Sequence, residues 1–297
     1  MNGKKFAALI WLTTFSMGTA FPTGRIGLDY TTPFMLLGIR FLLAGGIMAL
    51  ATIRRPKPRG AAAWGKIALI GTLNSAGVMG CAYYSMRWIT SGESAILIFV
   101  NPLMVIVLGT LFLGARYGGR QWLGVALGFI GVVCTFGTHF HVQPGTLIGL
   151  AGATIFAAAS LLLKRWGGAF DLWVLTGYQM LAGGVVLVAL SFLTEHPHFE
   201  LTFVSAGVIL WLALVSSIVQ HSVWTYLLRH TEPGRASAYL FLAPLFGVLS
   251  GWALLGEPLH GYVAVGGALI GVGIFLVNRQ VRRRPKSSDR PQKLAQL

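Results

Sequence analysis

The chain has 297 residues, 55% of them hydrophobic and only 10% charged, and its mean hydropathy is +0.71. Soluble domains carry about a quarter charged residues, so this make-up excludes a soluble fold: a chain of this length has no interior large enough for so much apolar surface. The net charge of +15 would ordinarily raise nucleic acid as a partner, but the basic residues sit in short loops and a tail, where they set membrane topology instead.

A helix that crosses a bilayer needs about 20 mainly apolar residues. Ten segments meet that description, at about 6–24, 33–53, 64–86, 91–113, 120–137, 145–166, 172–193, 203–228, 235–256 and 261–278. The first has Lys4 and Lys5 before an apolar run and small residues near Ala20, as a cleaved signal would, but it has a counterpart in the second half and is read as a retained helix. Cys81 and Cys134 fall inside spans, so no disulfide is expected. The 39 glycines suit close packing of membrane helices. Residues 279–297 are polar and basic and are read as a disordered cytoplasmic tail.

Counting Lys and Arg orients the chain. With the N-terminus in the cytoplasm, Lys4, Lys5, Arg54, Arg55, Lys57, Arg59, Lys66, Arg116, Arg120, Lys164, Arg165, Arg229, Arg235 and the tail all fall on that side. The outer loops hold only Arg25 and Arg87, together with the acids Asp29, Glu93, Glu195, Glu200 and Glu257. Both termini are expected in the cytoplasm.

One stretch occurs twice. Ser91–Arg116 and Pro233–Pro258 align without a gap at an offset of 142, so that Gly92 meets Gly234, Pro102 meets Pro244, Gly109 meets Gly251 and Leu113-Gly114 meets Leu255-Gly256. The same offset pairs Tyr84 with Tyr226, Gly124 with Gly266 and Gly131 with Gly273, and a slightly different one pairs Leu43–Gly46 with Leu181–Gly184. Each half then has five helices, and an odd number forces the halves into opposite orientations. The expected fold is an all-α integral membrane protein of ten transmembrane helices in two inverted five-helix repeats, residues 1–137 and 138–278. Inverted repeats of this kind build alternating-access transporters, with the site near the midplane.

Several stretches together resemble the EamA-like family of the drug/metabolite transporter superfamily. They are Trp11–Arg25, the proline-led helix with Arg40 (PFMLLGIRFLLAGG), the run from Val223 to Leu259 with its Ala-Pro-Leu and Leu-Gly-Glu-Pro elements, and the last helix VGGALIGVGIFLVN. The resemblance covers about residues 6–278. It implies a ten-helix bundle, an export role, and substrates such as amino acids and related metabolites, without naming one. Ala115 stands where the second copy has Glu257, so that acid is not duplicated.

Candidate site residues follow from polarity inside spans. Asn74, Gly77, Cys81 and Tyr84 recur at helical spacing on helix three, and Ser216, Gln220 and Trp224 on helix eight, with Ser217 and His221 beside them. Hydrocarbon cannot hydrogen-bond such groups, so they are expected to face the bundle interior, as a substrate cavity or as interhelical hydrogen bonds. Thr19, Asn101, Ser160 and Tyr239 complete the cavity set. Pro102 and Pro244 remove a backbone hydrogen bond mid-helix and are candidate hinges or static kinks. Arg40 needs a partner inside its span, for which Glu93 or Asp29 is expected; Lys164 either snorkels or meets a substrate carboxylate.

No carboxylate falls mid-membrane, which favours neutral or zwitterionic solutes over lipophilic cations. His139, His141, His196, His198 and His260 match no metal-site spacing, and no metal is expected. No nucleotide-binding loop, catalytic triad or metalloprotease motif appears, so neither an enzyme nor a cofactor is expected. Gly124xxxGly128 and Gly267xxxGly271 suit packing within the monomer or a homo-oligomer equally. The function these readings favour is a secondary exporter of amino acids or similar small metabolites. The alternatives are uptake or exchange of small anions through Arg40 and Lys164, and a membrane sensor or scaffold.

Overall fold

The structure is a computed structural model, and it describes residues 3–113, 117–135, 143–223, 227 and 242–278. It is built from helices, because a segment in hydrocarbon must satisfy its backbone internally. In chain order they are α1 (Gly3–Gly27), α2 (Pro33–Ala51), α3 (Ala61–Gly71), α4 (Met79–Ser85), α5 (Ser91–Ile98), α6 (Asn101–Leu113), α7 (Gly119–Thr135), α8 (Pro144–Trp166), α9 (Leu172–Thr194), α10 (Phe203–Leu210), α11 (Leu242–Leu255) and α12 (Gly261–Asn278). Among the described residues five stretches are long and apolar enough to cross a membrane: Pro33–Ala51, Ala61–Ser85, Pro144–Leu163, Leu172–Thr194 and Phe203–Val223. Leu193 of α9 and Phe203 of α10 turn their side chains outward, as helices against lipid do.

Among the described residues three spans depart from regular α-helix. A π-helical segment, Thr72–Val78, joins α3 to α4, and a second, Trp211–Val219, continues α10. The span expected over 91–113 is interrupted at Phe99 and Val100, where α5 stops and α6 begins, with Pro102 the second residue of α6. The turn is held by Phe99 N–H to Ala95 O (3.1 Å) and Leu103 N–H to Val100 O (2.9 Å). A proline this close to a helix start costs nothing, because the first-turn N–H groups have no intrahelical acceptor.

The starts of α5, α9 and α10 are capped by the side chains of Thr90, Asp171 and Thr202, since four N–H groups at a helix start lack intrahelical partners. Asp171 accepts from the N–H groups of Trp173 (2.9 Å) and Val174 (3.1 Å) and opens α9. Burial works against ionisation of Asp171, but the Val174 N–H, the Arg55 guanidinium at 3.0 Å and the Trp173 N–H outweigh it and hold the carboxyl below the usual carboxylate range.

With lipid as apolar as leucine, helices associate by close backbone approach. The pairs α7 with α12, α2 with α9, and α1 with α11 are the most extensive. A Cβ on Gly131 would lie 2.7 Å from the Gly266 carbonyl oxygen, and one on Gly273 would lie 2.8 Å from the Gly128 nitrogen, so α7 and α12 touch backbone to backbone. Gly128 meets Leu103, whereas Gly267 and Gly271 face open space. The 124–128 pair of glycines is therefore used within the chain. A Cβ on Gly71 would strike the backbone of Gln179, and one on Gly183 the side chain of Ser75, which seats α9 against the first π segment.

At one end of the bundle two connections tie the halves. Thr31 bridges to Phe199, Thr31 Oγ1 donates to the His198 carbonyl (2.8 Å), and Glu200 N–H donates to the Tyr30 carbonyl (2.9 Å). Both Glu195 carboxylate oxygens accept from Phe34 N–H at 3.3 Å, at the start of α2.

Candidate functional site

Arg40 is the centre of the site. It sits on the buried face of α2 and is 3% exposed. Its Nε donates to Ser217 Oγ (2.9 Å), one terminal nitrogen to Tyr83 Oη (3.1 Å), and the other to the Ser216 carbonyl (2.9 Å). The guanidinium carbon is 5.0 Å from the Phe41 ring centroid. Tyr83 Oη in turn donates to the Ala20 carbonyl (2.8 Å). Among the described residues no carboxylate pairs with Arg40, so neither Glu93 nor Asp29 is its partner. All its acceptors are neutral.

The guanidinium borders a cavity of about 70 Å³. Asn74, Ser75, Ser216, Gln220 and His221 supply its other polar groups; Met17, Phe21, Phe41, Met79 and Phe99 supply apolar wall. The π segments decide which residues face it. A π turn takes in one residue more than an α turn, which rotates everything beyond it by one position. Asn74 and Met79, five apart, both line the cavity, and so does Tyr83 four residues on. The stripe expected at 3.6 spacing is split as a result. Gly77 packs on Ile155 and Cys81 on Gly152, both of α8. Tyr84 stacks on Phe34 at 5.3 Å and meets Trp88 edge-on, outside the cavity, and Tyr83 takes its place. In the second π segment Ser217 Oγ donates to Leu212 O five residues back (2.9 Å), while accepting from Arg40.

Other expected cavity residues are engaged elsewhere. Thr19 Oγ1 donates to the Phe15 carbonyl (2.9 Å) and Ser160 Oγ to the Phe156 carbonyl (2.8 Å), each within its own helix. Asn101 opens α6 half-buried, outside the cavity lining. Glu93 is a local cap: its Oε2 accepts from Thr90 N–H (2.9 Å), and Thr90 Oγ1 accepts from Glu93 N–H (3.2 Å). Trp224 and Tyr239 lie outside the described residues, as do the side chains of Pro102 and Lys164; Pro244 is in the first turn of α11 as described. Of the histidines, His260 stacks on Tyr262, and His139 and His141 lie outside the described residues. Among the described residues no group of three His, Cys, Asp or Glu could hold a metal ion.

Sequence reasoning missed a second feature. Glu257, after α11, reaches the start of α5: its Oε1 accepts from Ser91 N–H (2.8 Å) and its Oε2 from Gly92 N–H (3.2 Å). With the Thr90–Glu93 box, the first N–H groups of α5 all have acceptors. The repeat alignment contained the signal, because Glu257 stands opposite Ala115 and is an acid that the first copy lacks.

A polar cavity with a buried arginine is thus set among packed apolar helices. The model of the EamA-like transporter family matches residues 4–137 and again 143–279. The chain belongs to the EamA-like transporter family. As an EamA-like protein it is a multi-pass membrane transporter and not an enzyme. It is 30% identical to an uncharacterized inner membrane transporter, YedA, of Escherichia coli (strain K12), over 86% of this chain and 83% of that one. It is 26% identical to a probable terminal-alkyne amino-acid exporter of Streptantibioticus cattleyicolor, over 97% of this chain and 99% of that protein. A WAT1-related chloroplast protein of Arabidopsis thaliana is 27% identical over 94% of this chain and 71% of its own length. A solved crystal structure shares the fold, with a TM-score of 0.65 and 18% identity over 90% of this chain and 94% of that one.

Proposed function

We propose that the protein is a secondary transporter that exports amino acids or similar small metabolites across the inner membrane by alternating access. Its ten spans would form two inverted five-helix repeats, residues 1–137 and 138–278, with both termini and the basic tail in the cytoplasm. The observation that carries this reading is the pair of π segments: they overlap under the 142-residue offset, Asn74 against Ser216, and both line one polar cavity. Distorted helices facing each other near the midplane are what repeat-built transporters use for substrate.

The packing pairs support the same symmetry. A pseudo-twofold maps the fifth helix of each half onto the other and the second likewise, and the contacts of α7 with α12 and of α2 with α9 are compatible with an axis passing between each pair. Contact between the first and ninth spans, α1 and α11, implies contact between the sixth and fourth, and α8 does pack on α5 and α6. The break before Pro102, and Pro244 at its equivalent position, are the proposed hinges. Amino acids are favoured by the name of the exporter relative, and the inner membrane by that of the Escherichia coli relative.

Efflux tests the reading. Cells overproducing the protein and loaded with labelled metabolites should lose at least one amino acid or related metabolite faster than control cells, and an Asn74→Ala/Gln220→Ala double variant should lose that gain. Unchanged efflux across the panel, with the protein folded in the membrane, would favour a sensor or scaffold.

A further inference from the structure

Arg40 has five N–H donors, and the protein takes up three of them. One N–H on each terminal nitrogen remains, on a side chain 3% exposed that lines the cavity. A buried cation with only neutral partners is costly, since desolvation is offset fully only by an opposite charge. The described acids have other positions: Asp171 pairs with Arg55, Glu93 caps α5, Glu195 meets α2, Glu257 meets α5, and Asp29 and Glu200 lie in the end connections. Glu232 and Asp289 lie outside the described residues. Beside the guanidinium, Ser216 Oγ is buried without a hydrogen-bond partner, and it lines the same cavity. An unpartnered hydroxyl and two unused guanidinium donors thus belong to residues that line one cavity, and among the described residues no carboxylate pairs with them.

Other groups on the lining have the complementary character. His221 Nδ1 lies 2.9 Å from the Ser217 carbonyl oxygen. A carbonyl only accepts, so Nδ1 carries the proton, and in the neutral ring Nε2 has a free lone pair. The side-chain oxygens of Asn74 and Gln220 are further neutral acceptors on the lining.

We propose that the cavity is a receptor for the head group of a zwitterionic amino acid: Arg40 and Ser216 Oγ bind the carboxylate, and His221 Nε2 accepts from the amino group. The proposal rests on the transporter reading above and deepens it. The cavity of about 70 Å³ is of head-group size, and the neighbouring rings and thioethers of Phe21, Phe41, Phe99, Met17 and Met79 suit an apolar side chain. The substrate class is then a neutral amino acid with an apolar side chain.

The probes are two four-member sets: leucine, leucinamide, 3-methylbutylamine and 4-methylpentanoate, and the same four forms of phenylalanine. Binding to the full chain in lipid nanodiscs is read by ligand-dependent thermal stabilisation. In at least one set the amino acid should bind, and loss of either the carboxylate or the amine should weaken binding about tenfold or more, as expected for losing charge-assisted hydrogen bonds. An amide that binds as well as its acid overturns the Arg40 assignment. A deaminated acid that binds as well as the amino acid overturns that of His221. Ser216→Ala breaks no side-chain hydrogen bond in the protein, so it should fold normally and weaken the amino acid about fivefold or more; unchanged affinity counts against the receptor. Glu232→Gln should leave the carboxylate preference unchanged, and a preference that rises on its neutralisation would make Glu232 the counterion instead. If neither set binds while loaded vesicles export a solute without a carboxylate, the receptor falls and the transporter reading stands. If vesicles export nothing, both fall.

Discussion

Truncating Glu257 to alanine tests whether one carboxylate joins the two halves by completing the first turn of α5. Ser91 and Gly92 are both buried, so water has little access to replace the lost acceptor. Two N–H groups donate to the carboxylate, at 2.8 and 3.2 Å. A hydrogen bond to a charged group is worth roughly 1.5–3 kcal/mol net, and Glu257 is half-exposed, so the lower figure applies and the pair comes to about 3 kcal/mol. Near the melting temperature that corresponds to a drop of about 6–12 °C, at about 2–4 °C per kcal/mol. Glu257→Gln retains one acceptor oxygen but turns an NH2 group toward the other N–H, so about half the loss is expected. Glu93→Ala, which removes the local half of the cap, should cost only about 1 kcal/mol. The assay is thermal unfolding of the purified chain in one detergent. Glu257→Ala melting within about 1 °C of the wild type, or Glu257→Gln falling as far as Glu257→Ala, would refute the capping argument.

Adjacent tyrosines should behave oppositely. Tyr83→Phe removes the hydroxyl that joins Arg40 to Ala20 and should destabilise by about 1–3 kcal/mol, whereas Tyr84→Phe keeps its ring stack and should stay within about 0.5 kcal/mol, both read by thermal unfolding. Asp171→Ala should cost about 1 kcal/mol at neutral pH through the lost cap. Because the folded carboxyl titrates below its ordinary 3.8, that stabilisation is complete above the ordinary value and lost as pH falls through the folded one. The gap between wild type and variant should therefore close in acid, and a gap that widens would contradict the assignment. Gly71→Leu should fail to accumulate as folded protein, because its side chain would meet the backbone of Gln179, whereas Gly65→Leu, with open space, should express normally as read by size-exclusion profile.

Five of the ten expected spans were legible, because membrane helices obey a length rule that composition alone can meet. The internal similarity lies in the sequence itself, where Pro102 aligns with Pro244 and Gly109 with Gly251 without a gap. The polar stripe was legible only in part. Asn74, Ser216, Gln220 and His221 do meet around one cavity, but Cys81 and Tyr84 do not join them. The 3.6 period assumes regular hydrogen bonding throughout, and no residue between Thr72 and Val78 announces a π turn.

By itself, the sequence determined a membrane class, the helical segments, and the polar residues that had to be buried, since hydropathy and hydrogen-bond need are properties of each residue where it stands. Tertiary structure decided the partners. Arg40 meets Ser217, Tyr83 and a carbonyl instead of an acid, and Glu257 caps a helix 165 and 166 residues away in the chain. Such pairings depend on helix rotation and on which backbones glycine lets approach, and local sequence sets neither. The π segments make the point most directly: one added residue per turn replaces Tyr84 with Tyr83 at the cavity, and with it the group that holds the buried arginine.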